Sequence, residues 1–493
     1  MCGVIGIVSR EPVAERLYVG TRGMLNRGPQ STRIVTYDDK ERLFYEHGDL
    51  GCAKEVFKDY KLGTLRGCMG NAHTRYATAG RSSPEMLLRN MQPVLDDGMS
   101  LCANGDLVNY GSMRQRLEER GHSFNTEVDA KVIQFALMDQ LKYKGLHTAK
   151  SEEEYAETLF ASLDNLHQEL IGAYATSVIL PRGMLAFKDP AGIRPLCLAH
   201  RKKGGAIVEY AVASESGVFN DLWDYDDVAE LRAGEAIFVD KNSLRIHRRL
   251  VKPQQERLCH FEVMYFARPD SQFYGRRVEV ERKKLGRMLG QEYQHMAERL
   301  DLITGVPDTG IASALGLSEV LGVQFARAIQ RRPNAPRAFL QTSQEEREKA
   351  HDEKFMYIKD HIAGMRIGVV DDSNVRGTTA KRHTKRLHAL GVKEVHYFFH
   401  TPHIDYSCYY GIDTPDRSEL IAPDRTNEEI AKIIGVDSVN YISTAGLIKT
   451  LGIPANRLCM ACLTGEYPTP IDEAQERAKL RCEERAATCG KQS

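Results

Sequence analysis

The stretch MRIGVVDDSNVRGTTAKRHTKRLHAL, at residues 365–390, constrains the fold of this chain more than any other part. Arg366 to Val370 form a nearly continuous apolar run, which is typical of a β-strand covered on both faces. Two aspartates follow this strand, and after them come a loop of small hydroxyl residues with a glycine and a basic amphipathic helix. This order predicts an open α/β sheet, which binds ligands at the carboxyl ends of its strands.

The same stretch carries the groups that an anion needs. Backbone N–H groups and the dipole at a helix N-terminus both favour phosphate, and Ser373 and the threonines after Gly377 add hydroxyl donors. Asp371 and Asp372 stand where a sugar diol or its metal would be held. The alternative is a charged turn in which the two aspartates only cap the helix. A Walker loop is excluded, because no Gly-Lys-Ser/Thr follows spaced glycines.

Upstream, DLITGVPDTGIASALGLSE at residues 301–319 repeats the order of strand, small-residue turn and helix. Between the two motifs lies the polar, charge-rich segment 326–355, for which a surface excursion is the plainest interpretation. These features predict a parallel-sheet α/β unit in the second half of the chain.

The chain opens with MCGVIGIVSR, which places Cys2 directly behind the initiator methionine. The apolar run that follows is shorter than the ~7–15 residues of a signal-peptide core and than the ~20 of a membrane span. It predicts a short buried strand. After removal of Met1, Cys2 would carry a thiol and an α-amine with a pKa of about 7.7–8.0, so that nucleophile and base come in one residue. A buried structural cysteine is the alternative.

Residues 1–240 contain many short apolar runs bounded by turn residues, which predicts many short strands between turns. Apolar residues at three-to-four spacing predict helices at 113–120, 127–142 and 151–170. We therefore expect sheets with helices on their outer faces.

Three stretches of this half carry candidate chemistry. Arg75 in AHTRYAT indicates a carboxylate or phosphate partner, or else an ordinary ion pair. Asn104 and Gly105 in ANGDLVN indicate either a hairpin turn or a pair of donors to an oxyanion. Asp129 opens a helical stretch, either as a helix acid or as a ligand for a substrate ammonium.

The motifs HTRYAT, QPV, NGDLVN, GAYA, FKDPAGIRPL, VASES and AGEAI, in this order behind the N-terminal Cys-Gly, resemble the class II glutamine amidotransferase domain of the N-terminal nucleophile type. The resemblance covers residues 2–240 and implies a four-layer αββα sandwich. It also implies five site residues: Cys2 as nucleophile, Asn104 and Gly105 as oxyanion hole, Arg75 for the α-carboxylate of glutamine and Asp129 for its α-ammonium.

Two positions of this half depart from the pattern of the amidotransferase family. Ala103 stands directly before the Asn-Gly pair, where family members often have His, and Lys188 replaces an Arg before the Asp-Pro pair. Neither position belongs to the implied site, so the resemblance still implies activity.

Residues 365–390 resemble the phosphoribosyl pyrophosphate (PRPP) motif of type I phosphoribosyltransferases. The resemblance implies an α/β domain over residues 259–470, a Mg²⁺ ion shared by Thr309 and the two aspartates, and a flexible loop at 326–355 that closes over PRPP. The implied PRPP ligands are Asp308, Thr309, Asp371, Asp372, Ser373, Asn374, Val375, Arg376, Gly377, Thr378 and Thr379, with Arg337, Arg347 and Lys354 in the closing loop. Asn374 replaces the usual hydrophobic residue after the serine, and the closing loop lacks the usual Asn-Arg-Tyr.

The chain has 11 cysteines and no signal peptide, which argues against a disulfide framework and for the cytoplasm. Four of them, Cys259, Cys408, Cys459 and Cys462, suit zinc, an iron–sulfur cluster or redox work, or else are unrelated buried thiols. Lys and Arg balance Asp and Glu at 67 each, which argues against nucleic acid or a membrane surface as partner.

Taken together, the motifs over residues 2–470 resemble the glutamine phosphoribosylpyrophosphate amidotransferase family. That resemblance implies transfer of ammonia from glutamine to C1 of PRPP, as the first step of purine synthesis, with purine nucleotides as feedback inhibitors. It also implies a dimer or tetramer, a [4Fe–4S] cluster on the four named cysteines, and a charged helix or tail at 471–493. The alternatives are a paralogue that aminates another sugar pyrophosphate, and a catalytically silent PRPP sensor.

Overall fold

Two antiparallel sheets, joined by turns and flanked by helices, make up the first half of the chain. The structure is a computed structural model that describes residues 2–76, 83–332, 354–414 and 416–475. The described strands of this half are β1 (Gly3–Ser9), β2 (Ser31–Asp38), β3 (Leu43–Leu50), β4 (Met69–Arg75), β5 (Val94–Asp96), β6 (Met99–Leu107), β7 (Gly172–Leu180), β8 (Gly183–Lys188), β9 (Cys197–Lys203), β10 (Ala206–Ala213), β11 (Tyr225–Glu230), β12 (Glu235–Asp240) and β13 (Ile246–Leu250).

The first sheet has the order β11-β9-β10-β1-β4-β2-β3 and the second β13-β12-β8-β7-β6-β5. The α-helices of this half are α1 (Ala14–Gly23), α2 (Ala53–Val56), α3 (Pro84–Arg89), α4 (Tyr110–Glu119), α5 (Asp129–Tyr143), α6 (Glu152–Glu169) and α7 (Gly217–Leu222). The three helices expected from apolar spacing correspond to α4, α5 and α6 and are confirmed to within a few residues.

Buried apolar residues arrange these elements in four layers. Val8, Ile179 and Met184 belong to the core between the two sheets. A second core joins α1 to the first sheet, and a third joins α5 and α6 to the second sheet. The predicted αββα sandwich is therefore confirmed. Its last strand, β13, ends at Leu250, beyond the expected boundary at 240, because it forms a hairpin with β12.

The second half is built on a parallel sheet. Its described strands are β14 (Leu258–Cys259), β15 (Gln272–Phe273), β16 (Arg276–Arg277), β17 (Leu302–Gly305), β18 (Ile329–Arg331), β19 (Phe355–Tyr357), β20 (Arg366–Asp371), β21 (Glu394–Phe399), β22 (Ser438–Tyr441) and β23 (Leu458–Cys459). Its α-helices are α8 (Val278–Glu292), α9 (Gly310–Leu321), α10 (Lys359–Ile362), α11 (Thr378–Ala389), α12 (Asn427–Ile434), α13 (Thr444–Leu451) and α14 (Ala461–Thr464).

The central sheet has the order β17-β20-β21-β22, with every pair parallel. Successive residues of β20 face opposite cores, since Val369 packs with α11 and α12 whereas Val370 packs with α8 and α9. Both faces are thus covered, which explains the continuous apolar run in the sequence. The predicted α/β architecture is confirmed.

The two halves share one apolar core. The cluster around α8 and α9 also contains Ala173 and Ile193 from the first half. Glu262–Phe266 form one turn of π-helix at the junction. Within the described part of the chain, no helix has the length and apolar character that crossing a bilayer requires. Of the expected C-terminal helix or tail, residues 472–475 are helical and 476–493 lie outside the described residues.

Candidate active sites and cysteine cluster

Cys2 lies at the start of β1, where the two sheets of the sandwich meet. Its backbone nitrogen donates a hydrogen bond to Asn104 Oδ1 of the second sheet at 3.1 Å, and its Sγ lies 3.8 Å from the Tyr76 carbonyl oxygen. This nitrogen is a peptide N–H in the chain that starts at Met1, and it becomes the α-amine once Met1 is removed. The Cys2 nitrogen therefore lies against the candidate site residue Asn104, and the thiol lies beside the residue that follows Arg75.

Asn104 and Gly105 lie inside strand β6, opposite Ala175 and Tyr174 of β7. The hairpin-turn interpretation of this dipeptide is therefore wrong. Asn104 has no exposed surface, and its Nδ2 has no hydrogen-bond partner among the described residues. Gly105 has a φ of 132°, and a Cβ there would lie 1.9 Å from the Ala173 carbonyl oxygen, so only glycine fits.

An unpaired buried donor costs about 1–3 kcal/mol, so one kept beside a thiol indicates a place for a ligand oxygen. An amide N–H beside a nucleophile is the kind of group that stabilises the oxyanion of acyl transfer. The arrangement of Cys2 and Asn104 thus has the chemistry of an acyl-transfer site.

Two residues that the sequence analysis did not single out support this strand. Gln92, from the QPV motif, accepts a hydrogen bond from Ala103 N at 2.8 Å through Oε1. His73, paired with Val4 across β1 and β4, is fully buried. Burial, together with Arg75 and the terminal ammonium, lowers the pKa of His73 to about 3, so its ring is neutral. Gln92 thus binds the backbone of Ala103, the position at which family members often have histidine.

Arg75 and Asp129 approach the same strand from two sides. Arg75 ends β4, and its Nη1 donates to the Asn90 carbonyl oxygen at 2.5 Å. Its Nε is buried without a partner in the described residues, so the ordinary ion pair is not found there. Asp129 opens α5, and its Oδ2 accepts from Leu107 N at the end of β6, at 2.8 Å.

The two aspartates of the second half lie at the carboxyl end of β20, as expected, and both are buried. Asp372 Oδ2 accepts from the Thr309 hydroxyl at 2.5 Å, and its Oδ1 accepts from the Ser373 hydroxyl at 2.6 Å. The N-cap of α11 is Gly377, in a left-handed conformation, so the helix-capping interpretation of the aspartates is wrong.

The two carboxyl groups of this site lie close together in the protein interior, and among the described residues Arg282 and Lys354 offset their charge only in part. Burial and the neighbouring Asp372 raise the pKa of the Asp371 carboxyl well above its usual range, and burial also raises that of Asp372. Lys354 faces the pair, but burial and Arg331 lower its pKa. Two buried carboxylates and the Thr309 hydroxyl are the hard oxygen donors that Mg²⁺ prefers, so these residues fit the ion.

The loop between the aspartates and α11 is held by the rest of its own domain. Asn374 Nδ2 donates to the Tyr441 hydroxyl at 2.8 Å, so the residue that departs from the motif points towards β22. Val375 O accepts from Ile421 N at 2.9 Å, and Arg376 pairs with Glu419 on the surface at 3.2 Å. Thr378 and Thr379 open α11 behind Gly377.

The remaining predicted PRPP ligands lie at or beyond the edge of the described residues. Asp308, in the turn before α9, is exposed and pairs with Arg331 at 2.9 Å. Lys354 directly precedes β19. Arg337 and Arg347 lie outside the described residues.

Tyr265, on the π-helical turn, is near residues of both candidate sites. Its pKa is raised by burial and by Asp372, Tyr76 and Asp371, so its hydroxyl is near groups of both halves. Tyr265 belongs to the stretch FEVMYFARPDS at residues 261–271, in which no local pattern indicates the residue that faces the sites.

The four cysteines form one cluster at the junction of the halves. Cys259 in β14 is the register partner of Cys459 in β23, while Cys462 lies in α14. Burial raises the pKa of all four thiols, and those of Cys459 and Cys462 are raised further by the other cysteines. Cys408 Sγ accepts a hydrogen bond from Tyr410 N at 3.4 Å. The fold therefore brings the four thiols together, which argues against the alternative of four unrelated buried cysteines.

Within the described ranges, no group of three or more His, Cys, Asp or Glu side chains is arranged to hold a single metal ion. This arrangement of the cysteines does not suit a zinc ion, which needs four ligands about 2.3 Å from one point. A four-iron cluster presents a separate iron to each thiolate, so its ligands stand farther apart than those of a single ion, and four neighbouring thiols have the donor chemistry that it needs. Arg194, fully buried, has its pKa raised by Cys259, Glu262 and Cys408 against the effect of burial, and so adds a cation beside the thiols.

Comparison with known proteins agrees with this picture. A family model described as a glutamine amidotransferase domain matches residues 80–220. An amidophosphoribosyltransferase of Methanocaldococcus jannaschii is 35% identical over 492 residues, which are 96% of this chain and 98% of that protein. One of Bacillus subtilis is 35% identical over 479 residues, covering 95% and 94%.

Two solved structures share the fold over nearly the whole chain. The glutamine PRPP amidotransferase of Bacillus subtilis, in complex with ADP and GMP, gives a TM-score of 0.81 at 32% identity, covering 95% of this chain and 98% of that one. A structure described as the allosteric regulatory enzyme of purine biosynthesis gives a TM-score of 0.82 at 33% identity, covering 95% and 97%.

The sandwich with its N-terminal cysteine, and the family match within it, make the first half a glutamine amidotransferase domain. A parallel α/β domain follows it, and the relatives align with both halves. The chain belongs to the amidophosphoribosyltransferase family.

Proposed function

We propose that this chain hydrolyses glutamine at Cys2 and transfers the ammonia to C1 of PRPP, which gives 5-phosphoribosylamine, pyrophosphate and glutamate. One observation carries the first part of the proposal. Asn104 binds the Cys2 nitrogen through Oδ1 and keeps its own Nδ2 buried and unpaired among the described residues. A donor in that state has its partner when a tetrahedral oxyanion forms on a substrate attacked by Cys2.

In the first reaction, the Cys2 thiol attacks the carboxamide carbon of glutamine and passes its proton to the α-amine of the same residue. The C–N bond then breaks, ammonia leaves with that proton, and a thioester remains on Cys2. Water hydrolyses the thioester to glutamate and restores the thiol. Asn104 Nδ2 and the Gly105 N–H stabilise the oxyanion, while Arg75 and Asp129 bind the α-carboxylate and α-ammonium of the substrate.

In the second reaction, ammonia attacks C1 of PRPP, the bond from C1 to the pyrophosphate oxygen breaks, and the attacking nitrogen loses a proton. Asp371 and Asp372 hold the ribose hydroxyls, residues 373–379 hold the 5-phosphate, and Asp308 and Thr309 hold the pyrophosphate. The residues that would hold Mg²⁺ are Thr309, Asp371 and Asp372. When bound, this ion neutralises charge on the leaving pyrophosphate. The two buried carboxylates, whose charge is offset only in part, support this assignment.

Cys259, Cys408, Cys459 and Cys462 would hold a [4Fe–4S] cluster with a structural role, tying the chain near residue 259 to the segment near 460. Their grouping beside the Arg194 cation, with Cys259 and Cys459 buried and Cys408 and Cys462 partly buried, supports this proposal, because a four-thiolate cluster carries net negative charge. The role is structural, since the thiols lie in the core that joins the halves.

Regulation by purine nucleotides is part of the proposal, since the Bacillus subtilis relative was solved with ADP and GMP. We also expect a homodimer or homotetramer and a cytoplasmic location. One reason for the alternative, a paralogue that aminates another sugar pyrophosphate, was the replacement at Asn374. That reason is weakened, because the Asn374 side chain donates a hydrogen bond to the Tyr441 hydroxyl inside the domain.

The test is the variant Cys2→Ala, assayed with glutamine and with ammonium as nitrogen source. Glutamine-dependent synthesis of phosphoribosylamine is expected to disappear, whereas ammonium-dependent synthesis persists, because the second reaction needs no thiol. Loss of both activities from a folded variant would contradict two separable reactions. Full glutamine-dependent activity in wild-type protein that retains Met1 would exclude the α-amine as base.

A further inference from the structure

A loop of the second half lies directly on the oxyanion strand of the first half. Gly411, buried in the loop Cys408–Asp413, has a φ of 103°, and a Cβ added there would lie 3.0 Å from Gly105 Cα and 3.3 Å from Gly105 C. The contact is with backbone, which cannot rotate away as a side chain can. Gly411 therefore has two independent reasons to lack a side chain, its backbone conformation and its neighbour.

Gly105 is also closed in on its other side. A Cβ added to Gly105 would lie 1.9 Å from the Ala173 carbonyl oxygen of β7, so that oxygen occupies the space on this side. The Gly105 peptide is thus confined between a strand of its own sheet and a loop that lies about 300 residues later in the sequence. A peptide confined in this way holds its N–H in one direction, which is what an oxyanion donor requires.

The loop that contains Gly411 is held by hydrogen bonds of Cys408 and Thr414. Cys408 Sγ accepts a hydrogen bond from Tyr410 N, and the Cys408 nitrogen donates to the Thr414 hydroxyl at 2.5 Å. Thr414 N in turn donates to the Ile412 carbonyl oxygen at 2.8 Å. These bonds fix the backbone on both sides of Gly411, so the loop can act as a rigid support.

We propose that Gly411 is a positioning residue for glutamine hydrolysis: by seating the Cys408–Asp413 loop on Gly105, it fixes the Gly105 N–H for the oxyanion. The inference rests on the proposed function of Gly105. It makes the second half of the chain a structural part of the glutaminase site. Because the oxyanion exists only beyond the ground state, this support acts on kcat and not on glutamine binding.

The test is Gly411→Ala in the full-length chain, with Gly121→Ala as matched control. Gly121 has a φ of 94° and nothing within 4 Å of an added Cβ, so its variant carries similar backbone strain without a contact. For Gly411→Ala we expect kcat for glutamine hydrolysis to fall at least about tenfold, towards the ~10²–10³-fold loss typical of a missing oxyanion donor. The KM for glutamine and ammonium-dependent synthesis should stay within about twofold of wild type, as a donor used only in the transition state implies.

A fall in kcat no larger than that of Gly121→Ala would overturn the inference, and so would a rise in KM that accounts for the whole loss. If Gly411→Ala does not fold, Thr414→Val decides, because it removes the hydroxyl that binds Cys408 N without adding a contact at Gly105. We then expect kcat to fall about two- to fivefold at constant KM, and an unchanged kcat refutes the inference. Absence of glutamine hydrolysis in wild type would instead contradict the proposed function, so the two failures are distinguishable.

Discussion

The two halves of the molecule prepare their sites in opposite ways. Around Cys2, the first half holds two neutral donors in place, namely Asn104 Nδ2, which has no partner in the part of the chain that the structure describes, and the confined Gly105 peptide. At the end of β20, the second half keeps two buried carboxylates that lack a full counter-charge. The first site has donors that suit an anion, and the second has carboxylates that suit a cation. In the proposed reactions these are the oxyanion on glutamine and Mg²⁺.

This difference has a consequence for stability as well as for catalysis. Buried polar groups without partners lower the free energy of unfolding, so both sites are places where stability has been given up for function. A ligand that supplies the missing partner should stabilise its own half. The comparison therefore predicts that the two sites respond to different ligands and to opposite changes of pH.

The largest effect is expected for Asn104→Ala. The variant removes both the Nδ2 donor proposed for the oxyanion and the Oδ1 that binds the Cys2 nitrogen, so kcat for glutamine hydrolysis should fall by at least about 10²–10³-fold. Ammonium-dependent synthesis, measured on the same preparation, should remain. Equal losses of both activities would show that the two sites do not differ in the way described.

The next effect is expected for Asp371→Asn, which removes one carboxylate from the site that suits a cation. Affinity for Mg²⁺, measured through ammonium-dependent synthesis, should fall by roughly 10–100-fold, whereas glutamine hydrolysis in the absence of PRPP should persist. Loss of glutamine hydrolysis to the same extent would contradict the separation of the sites.

The pH dependence of the same variant has a definite sign. The folded pKa of Asp371 lies above its unfolded value of about 3.9, so the folded state binds more protons between the two. Without Mg²⁺, wild-type stability should therefore fall as pH rises through this window, by about 1.4 kcal/mol for each pKa unit. Asp371→Asn should lose the part of this slope that comes from Asp371, while Asp372, whose pKa burial also raises, keeps its own part, and Mg²⁺ should stabilise wild type more than the variant.

Local sequence patterns predicted the elements that carry the chemistry. The apolar run at Arg366–Val370 and the short run after Cys2 are buried strands, and α4, α5 and α6 lie where apolar spacing placed helices. These segments succeed because their periodicity reflects which faces are covered. The turn predicted at Asn104 and Gly105 is not found, because pairing with β7 outweighs the local turn preference of the dipeptide.

What could not be predicted are contacts between distant segments. Gln92 reaches Ala103 through its side chain, Tyr265 is near residues of both sites, and Gly411 contacts Gly105 across some 300 residues. No local pattern encodes such pairs, because the packing of the two halves creates them. Strand β13 was missed because its sequence, IHRRL, is charged and half exposed at a sheet edge.

A smaller effect is expected for Gln92→Met, which leaves the Ala103 N–H without its acceptor. An unpaired buried N–H costs about 1–3 kcal/mol, and a loosened oxyanion strand should lower kcat for glutamine hydrolysis by about tenfold. Gln134→Met is the control, because Gln134 is also buried, its Nε2 donates to the Val94 and Met99 carbonyl oxygens, and its Oε1 accepts from Lys131 Nζ. The control should lose similar stability, measured by urea unfolding, without the loss of kcat.

The smallest effect concerns stability alone and completes the comparison of the halves. The folded pKa of His73 is about 3, below its unfolded value of about 6.5, so the unfolded state binds more protons between these values. Stability from this residue is therefore lost as pH falls, the opposite sign to Asp371. Between pH 6.5 and 5 the loss is about 1.6 kcal/mol, since the unfolded ring is already half protonated at pH 6.5. His73→Leu should remove that part of the acid sensitivity in urea unfolding, and identical pH slopes for variant and wild type would mean that the ring is not buried as a neutral group beside Cys2.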